Sequence, residues 1–283
     1  MIAVEYHRLE KSLAISSKRV GAGQDACARL VQALSHFKER FEPSQDYFFG
    51  VNVLREYTAV NQAYLDPELS SRITDVLQSA PGQATSDVEN RTYGYDAITW
   101  NRDDLETPLT SIAFLKSRRS VRNFLPKQID RRTVLSIVDV AIKTPSVCNR
   151  QSWKIISITS KDAIQRVLKF QNGNSGFSED INNLFVILVD LSYFLSIDER
   201  NQPWIEGGLF SMSVLQSIHG HGLGGCALNW CASEGNDRLI RDCLSIGDNF
   251  IIVMLIAFGE PPGEFRCPSS PRRDVESFLS EYK

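Results

Sequence analysis

Two features of the sequence predict an α+β or α/β fold built around one sheet. Short apolar runs with strand character recur between residues 153 and 258, and longer stretches of helical character separate them. A third feature, a change of character near residue 100, sets a helical N-terminal stretch apart from this alternating part. Residues 1–79 carry little strand signal. Gln24 to Phe37 places Ala28, Val31, Leu34 and Ser35 on one helical face, and Val51 to Val60 continues in the same style. Asp66-Pro67 opens a further helix, with Asp as N-cap and Pro at the first helical position. Residues 80–104 are polar and turn-rich, which suits an irregular connection that wraps the second half of the chain. The expected division is therefore 1–104, a helical extension with its connecting segment, and 105–283, the alternating domain.

From residue 105 each element has its own signal. Leu109 to Lys116 is helical, and Asp130 caps a helix that runs to Lys143. Trp153 to Thr159 is a strand, and Ser160 starts a short helix ending near Phe170. Leu184 to Asp190 is continuously apolar, as in a strand buried on both faces. Pro203 to His219 is a long apolar helix, Gly225 to Trp230 a short strand, and Asp237 to Leu244 a helix. Phe250 to Phe258 is the most hydrophobic strand. There is no internal repeat and no low-complexity tract.

Composition excludes several function classes. The chain has 283 residues, 42% of them hydrophobic and 23% charged, which is ordinary for a globular protein and unlike a disordered chain or a coiled coil. The run from Phe250 to Phe258 is far short of the roughly 20 residues a membrane helix needs. The N-terminus carries Glu5 and lacks the apolar region of a secretion signal, so a cytoplasmic location is expected. A net charge of −3 offers no global attraction to nucleic acid or anionic membrane. The cysteines at 27, 148, 226, 231, 243 and 267 form no C-x-x-C pair, and four of them are expected to pack as small hydrophobes. His219 and His221 read as a helix end, and no metal site is expected. No G-x-S-x-G elbow supports a serine hydrolase.

Three groups of residues could carry chemistry. Arg118, Arg119, Ser120 and Arg122 set three cations and a hydroxyl within five residues, enough to hold a phosphate dianion by charge-assisted hydrogen bonds. The plainer reading is a solvated helix end whose arginines offset the C-terminal dipole. The second group, Thr144 to Trp153, combines a rigid proline, small residues, two amides and an aromatic, a mixture suited to a planar heteroaromatic ligand. An ordinary helix-to-strand loop with Trp153 in the core would read the same way. Cys148 has no histidine near it in sequence and is not read as a nucleophile. The third group, Gly220 to Trp230, contains G-x-G-x-G-G, yet it follows a helix and opens a strand, the reverse of a dinucleotide loop. Its glycines are better read as a helix C-cap and a close backbone approach.

In this order and at this spacing the groups resemble the nitroreductase family of flavin enzymes. The matching pieces are SRRSVRNF (117–124), TPSVCNRQSW (144–153), HGLGGCALNW (221–230), FIIVMLIAFGEPP (250–262) and a late basic segment, SPRRD (270–274). The resemblance covers about residues 109–278. EYHRLEKSL (5–13), QNGNSGF (171–177) and ERNQPWIEGGLFSM (199–212) are similar to a longer subgroup often found among polysaccharide-biosynthesis genes. Ser12 and Glu206 depart from that subgroup's EKGL and DGG, changes that bear on substrate handling more than on the cofactor. The resemblance implies an α+β fold with a central mixed sheet flanked by helices, and FMN held at the interface of an entwined homodimer. Arg118, Arg119 and Ser120 would bind the phosphate and ribityl chain, with Arg122 near the ribityl chain or the pyrimidine edge. Pro145, Ser146 and Asn149 would reach the flavin from the partner subunit. The backbone of Leu228, Asn229 and Trp230 would lie near N5, and Arg272, with Arg273 as second choice, would return to the phosphate.

The resemblance further implies ping-pong hydride transfer through flavin N5, from NADH or NADPH to a small organic acceptor, with no catalytic side chain. The physics agrees, since a buried phosphate needs several cations and a cation at the ring edge favours the reduced ring. Three alternatives stand beside this reading: an FMN-dependent dehydrogenase without NAD(P)H, a flavin-modifying enzyme, and a non-catalytic scaffold for envelope biosynthesis. His7, Arg8, Glu10 and Lys11 form an amphipathic turn that reads as a solvated helix face. Gln171 and Asn172 are candidates for substrate contact from the subgroup pattern alone.

Overall fold

A computed structural model of the chain describes residues 2–14, 21, 23–81, 108–263, 265 and 275–282. By their internal contacts these fall into two compact units: the residues up to 81 together with Ser146–Arg150, and the residues from 108 on outside that segment. The connection expected over 80–104 and the basic residues 270–274 fall almost wholly outside the described residues.

The first unit is helical. It comprises α1 (Ile2–Ala14), α2 (Gln24–Arg40), α3 (Gln45–Asn61) and α4 (Pro67–Ser79). Asp66 caps α4 as its sequence requires, its Oδ1 accepting from Glu68 N at 3.0 Å and Leu69 N at 3.1 Å. On α2 the buried face is Cys27, Leu30, Val31 and Leu34, rotated slightly from the expected stripe, so that Ala28 and Ser35 sit at its margin. These residues meet Leu9, Leu13, Leu54, Tyr57 and Ile73 in one apolar core. The buried Glu5 is paired with Arg29 at 3.1 Å and with Arg8 at 2.8 Å, so Arg8 answers a core carboxylate from the exposed turn. The side chains of His7, Glu10 and Lys11 fall outside the described residues. Helix α1 also packs on the short turn Val147–Asn149.

The second unit holds α5 (Pro108–Ser117), α6 (Arg131–Ala141), α7 (Lys161–Leu168), α8 (Gln202–Gly220) and α9 (Glu234–Leu244), with strands β1 (Trp153–Ile158), β2 (Leu184–Asp190), β3 (Gly224–Asn229) and β4 (Phe250–Gly259). The strands lie in the order β1-β2-β4-β3 and every ladder is antiparallel. Parallel pairing enters only as a bridge between Ser120 and Gly225, so the mixed character expected of the sheet rests on that one bridge among the described residues. In β2, Leu184, Val186 and Leu188 face α7 and α9, whereas Phe185 and Ile187 face α6 and α8. A bulge in β4 beside Ile187 and Leu188 shifts the alternation, which puts Ile252 on the same face as Leu255. Helix α8 lies close to this point: a Cβ on Gly207 would stand 2.5 Å from Val253 Cγ2.

Two buried polar groups fasten the second unit. Asn183 accepts from Ile129 N at 2.8 Å and donates to the Lys127 carbonyl at 3.1 Å, holding the chain before α6 to the sheet. Glu206, fully buried on α8, accepts from Ser152 Oγ at 2.9 Å. This departure from the subgroup pattern therefore lies in the interior. Among the described residues Cys27 and Cys226 are buried and Cys148 is half-buried, while Cys231 and Cys243, on the strand exit and α9, are exposed. Small size alone did not decide burial there, because neither lies on an apolar face. Among the described residues no helix is long and apolar enough to cross a membrane.

Candidate functional site

The end of α5 delivers the arginines. Ser117 closes the helix, and the chain then runs beside β3, where Val121 N donates to the Gly225 carbonyl at 3.1 Å. Only glycine suits this crossing, since a Cβ on Gly224 would stand 2.7 Å from Val121 Cβ. Gly222, at φ 72, makes the preceding reversal out of α8. The third sequence group thus behaves as a helix end and a close backbone approach.

These segments enclose a cavity of about 230 Å³ lined in part by Ser117, Arg118, Arg119, His219, Gly224 and Gly225. Arg119 Nη1 donates to the carbonyls of Lys116 at 2.6 Å and Arg118 at 3.0 Å. His219 Nε2 lies 2.7 Å from Ser117 Oγ, and its ring stacks on Phe114 at 5.0 Å. Burial, and secondarily the charge of Arg118, holds the His219 imidazole below its usual pKa. Burial pushes the Cys226 thiol up against the opposing pull of Arg122 and Arg118, so the thiol stays protonated and is no nucleophile. Arg122 itself stands 5.9 Å from the centre of the Phe177 ring.

Strand β3 is the sheet edge, paired only with β4 among the named strands. Because the Gly225 carbonyl points outward to Val121, strand alternation turns the backbone groups of Ala227 and Asn229 to the same open side. At the far end Gln171 Nε2 donates to the Asn229 carbonyl at 3.0 Å. Leu228 is buried in the core, whereas the side chains of Ala227 and Asn229 are exposed. Trp230 is held by its indole N–H, which donates to Asp237 Oδ1 at 2.7 Å.

The structure therefore places Arg118, Arg119 and Ser120 beside the start of β3 and Arg122 at Phe177, while Asn229 and Trp230 stand at the far end of the strand and Leu228 is turned into the core. Pro145 lines a different cavity, of about 460 Å³, with Phe114, Lys143 and His221. Ser146 and Asn149 belong to the segment that clusters with the N-terminal helices. Left-handed backbone recurs there at Cys148 (φ 53), Asn149 (φ 52) and Gln151 (φ 51), a concentration of strain of the kind that marks functional loops. Arg272 and Arg273 lie outside the described residues. Gln171 is buried and turned toward Asn229, while Asn172 is exposed. The sequence did not reveal Ser117, Phe114 and His219 as neighbours, although the first Ser of SRRSV and the histidine ending an apolar helix were both visible.

Comparison with known proteins decides the family. The nitroreductase family model matches residues 115–175, the stretch from the arginines through β1 to the start of the Gln171 loop. A 4-nitrobenzoate reductase from Pseudomonas putida is 41% identical over 212 residues, covering 59% of this chain and 92% of its own length. The chain belongs to the nitroreductase family. Another 4-nitrobenzoate reductase, from a Nocardioides species, is 23% identical over 213 residues, covering 56% of this chain and 85% of its own length. Solved nitroreductases share the fold. An FMN-dependent nitroreductase from Clostridium difficile superposes with a TM-score of 0.51 at 21% identity, over 61% of this chain and 99% of its own. A Desulfovibrio desulfuricans protein solved in complex with FMN gives a TM-score of 0.53 at 18% identity, over 63% of this chain and 99% of its own. Nitroreductase family members are oxidoreductases, and this chain is an enzyme of that class.

Proposed function

We propose that this nitroreductase-family chain is an FMN-dependent oxidoreductase that takes hydride from NADH or NADPH and passes it to a small organic acceptor in a ping-pong sequence. The observation that carries the proposal is the cationic cavity of Arg118 and Arg119 beside the edge strand β3. Its donor set suits the group. Two guanidinium groups lining one small cavity match a phosphate dianion. Bound FMN supplies hydride transfer through N5 of its ring.

Arg118, Arg119 and Ser120 bind the phosphate and ribityl chain, and Arg272, with Arg273 as second choice, returns to the phosphate. Arg122 offers a cation to the ribityl chain or the pyrimidine edge, where it stabilises the charge added on reduction. The backbone of Leu228, Asn229 and Trp230 orients the ring near N5. Pro145, Ser146 and Asn149 of the partner subunit complete the pocket in a homodimer. Exposed Trp204, Ile205, Leu209 and Met212 on α8 support that assembly, since they leave an apolar helix face without cover in one subunit. Residues 1–104 are a helical extension with its connecting segment and 105–283 the cofactor domain. The names of the Pseudomonas and Nocardioides relatives make nitrobenzoates the first acceptors to try. The subgroup pattern points to a physiological acceptor in polysaccharide biosynthesis, and reliance on NAD(P)H to a cytoplasmic site of action.

The test is a visible absorption spectrum of the protein purified without added cofactor, repeated anaerobically with NADPH and then NADH. A flavin band that bleaches supports the proposal and names the donor. A band that stays unchanged moves the reading to a dehydrogenase or a flavin-modifying enzyme, and no band even after FMN is added overturns it.

A further inference from the structure

Gln171 stands just after α7, only 5% exposed, at the head of the loop that leads to Phe177. Its side chain is oriented from both ends. Asn174 Nδ2 donates to Gln171 Oε1 at 2.9 Å, and also to the carbonyls of Gln171 at 2.7 Å and Leu168 at 2.9 Å. With Oε1 fixed as the acceptor, Nε2 is the donor end, and it reaches the carbonyls of Asn229 at 3.0 Å and of Asn172. Gly173 and Gly176, at φ 108 and φ 87, let the loop double back to make these contacts. The amide of Gln171 is thus committed to backbone and has no donor left for a substrate.

The partner it chooses matters. In a strand the N–H and C=O of one residue point to the same side, so the Asn229 carbonyl and the Asn229 N–H share the open side of β3. A bare carbonyl there would face a bound ring with a lone pair. Covered by Gln171, that carbonyl is withdrawn, and at Asn229 the N–H is the group left facing the open side.

We propose that Gln171 is a positioning residue for the redox cofactor: it occupies the Asn229 carbonyl and fixes the β3 exit, so that at Asn229 the N–H rather than the carbonyl is offered to the ring. The inference rests on the FMN reading above. Reduction adds negative charge to the ring, so donors favour the reduced form and an uncovered carbonyl opposes it. Removing the Gln171 donor therefore lowers the reduction potential as well as the rate.

The experiment compares FMN-loaded wild type with Gln171→Met, which keeps length without a donor, and Gln171→Glu, which keeps shape but replaces the donor by a carboxylate. Readouts are the flavin midpoint potential, FMN affinity, thermal midpoint, and kcat and KM with the pyridine nucleotide. Both variants should retain FMN. At a fixed ambient potential their ratio of reduced to oxidised flavin should fall about tenfold, close to 30 mV for two electrons. The value of kcat should fall on the order of tenfold, the scale of one buried hydrogen bond, while KM stays within about twofold. Gln171→Glu should show the larger drop in potential. Either variant alone suffices if the other does not fold. Variants that hold FMN with wild-type potential and kcat, or that lose only thermal stability, overturn the role of Gln171 and leave the FMN reading intact. A wild type that binds no FMN overturns the FMN reading itself.

Discussion

Arg118 meets two demands at once: it lines the cavity and its charge helps to hold His219 neutral. Neither demand involves the apolar core, so Arg118→Ala should fold normally yet bind FMN about 10- to 100-fold more weakly, the scale of lost hydrogen bonds to a charged group. Absorbance per protein after purification reads this directly, and a variant that emerges fully yellow would refute the phosphate assignment. The cluster at 118–122 was legible in the sequence because its members are adjacent along the chain. Gln171 was legible only as a candidate for substrate contact. Its actual partner lies 58 residues away, across a loop and a strand, and nothing local signals such a pairing. Glu206 was likewise visible as a departure from pattern, but only the fold shows that its carboxylate is interior and bonded to Ser152.

At the scale of elements, β3 and α9 are joined by one carboxylate. Asp237 accepts from the Trp230 indole at 2.7 Å and from Arg241 Nε at 2.5 Å, while Arg241 Nη1 reaches the carbonyls of Gly247 and Phe250. Burial pushes the Asp237 carboxyl up, but the bonds from Arg241 and Trp230 outweigh it and hold the group below the ordinary aspartate range. A carboxylate lowered in this way adds stability above about pH 4, and the contribution fades as pH falls through the lowered value. Asp237→Asn should therefore lower the thermal midpoint by roughly 1–3 °C at pH 7 and by nothing measurable near pH 2. A gap that persists in acid would show that the carboxylate charge is not what joins the elements. Element types were readable throughout, because β2 and β4 are long apolar runs and Asp66, Asp130 and Ser160 are helix caps in fact as in sequence. The bulge at β4 was not, since an extra residue in a uniformly apolar run leaves the pattern unchanged.

For the molecule as a whole, the apolar face of α8 is the feature with the largest consequence. Leu209, 47% exposed, lies between Ile205 and Met212 on that face. Leu209→Asp should convert a dimer to a monomer on sizing and remove the flavin with it, because the proposed pocket takes residues from both subunits. A monomer that keeps its flavin would defeat the shared-pocket account. The family was legible from its motifs taken in order, whereas the role of residues 1–104 was not, because helical periodicity records what a segment buries and not what it serves. The edge strand β3 carries one more implication. An exposed edge ordinarily invites a stray strand from another chain to zip onto it. Here the outward carbonyls of Gly225 and Asn229 are both engaged, and Ala227 lies between them. The gap is too short to template a ladder, so this edge resists aggregation without a strand to cover it.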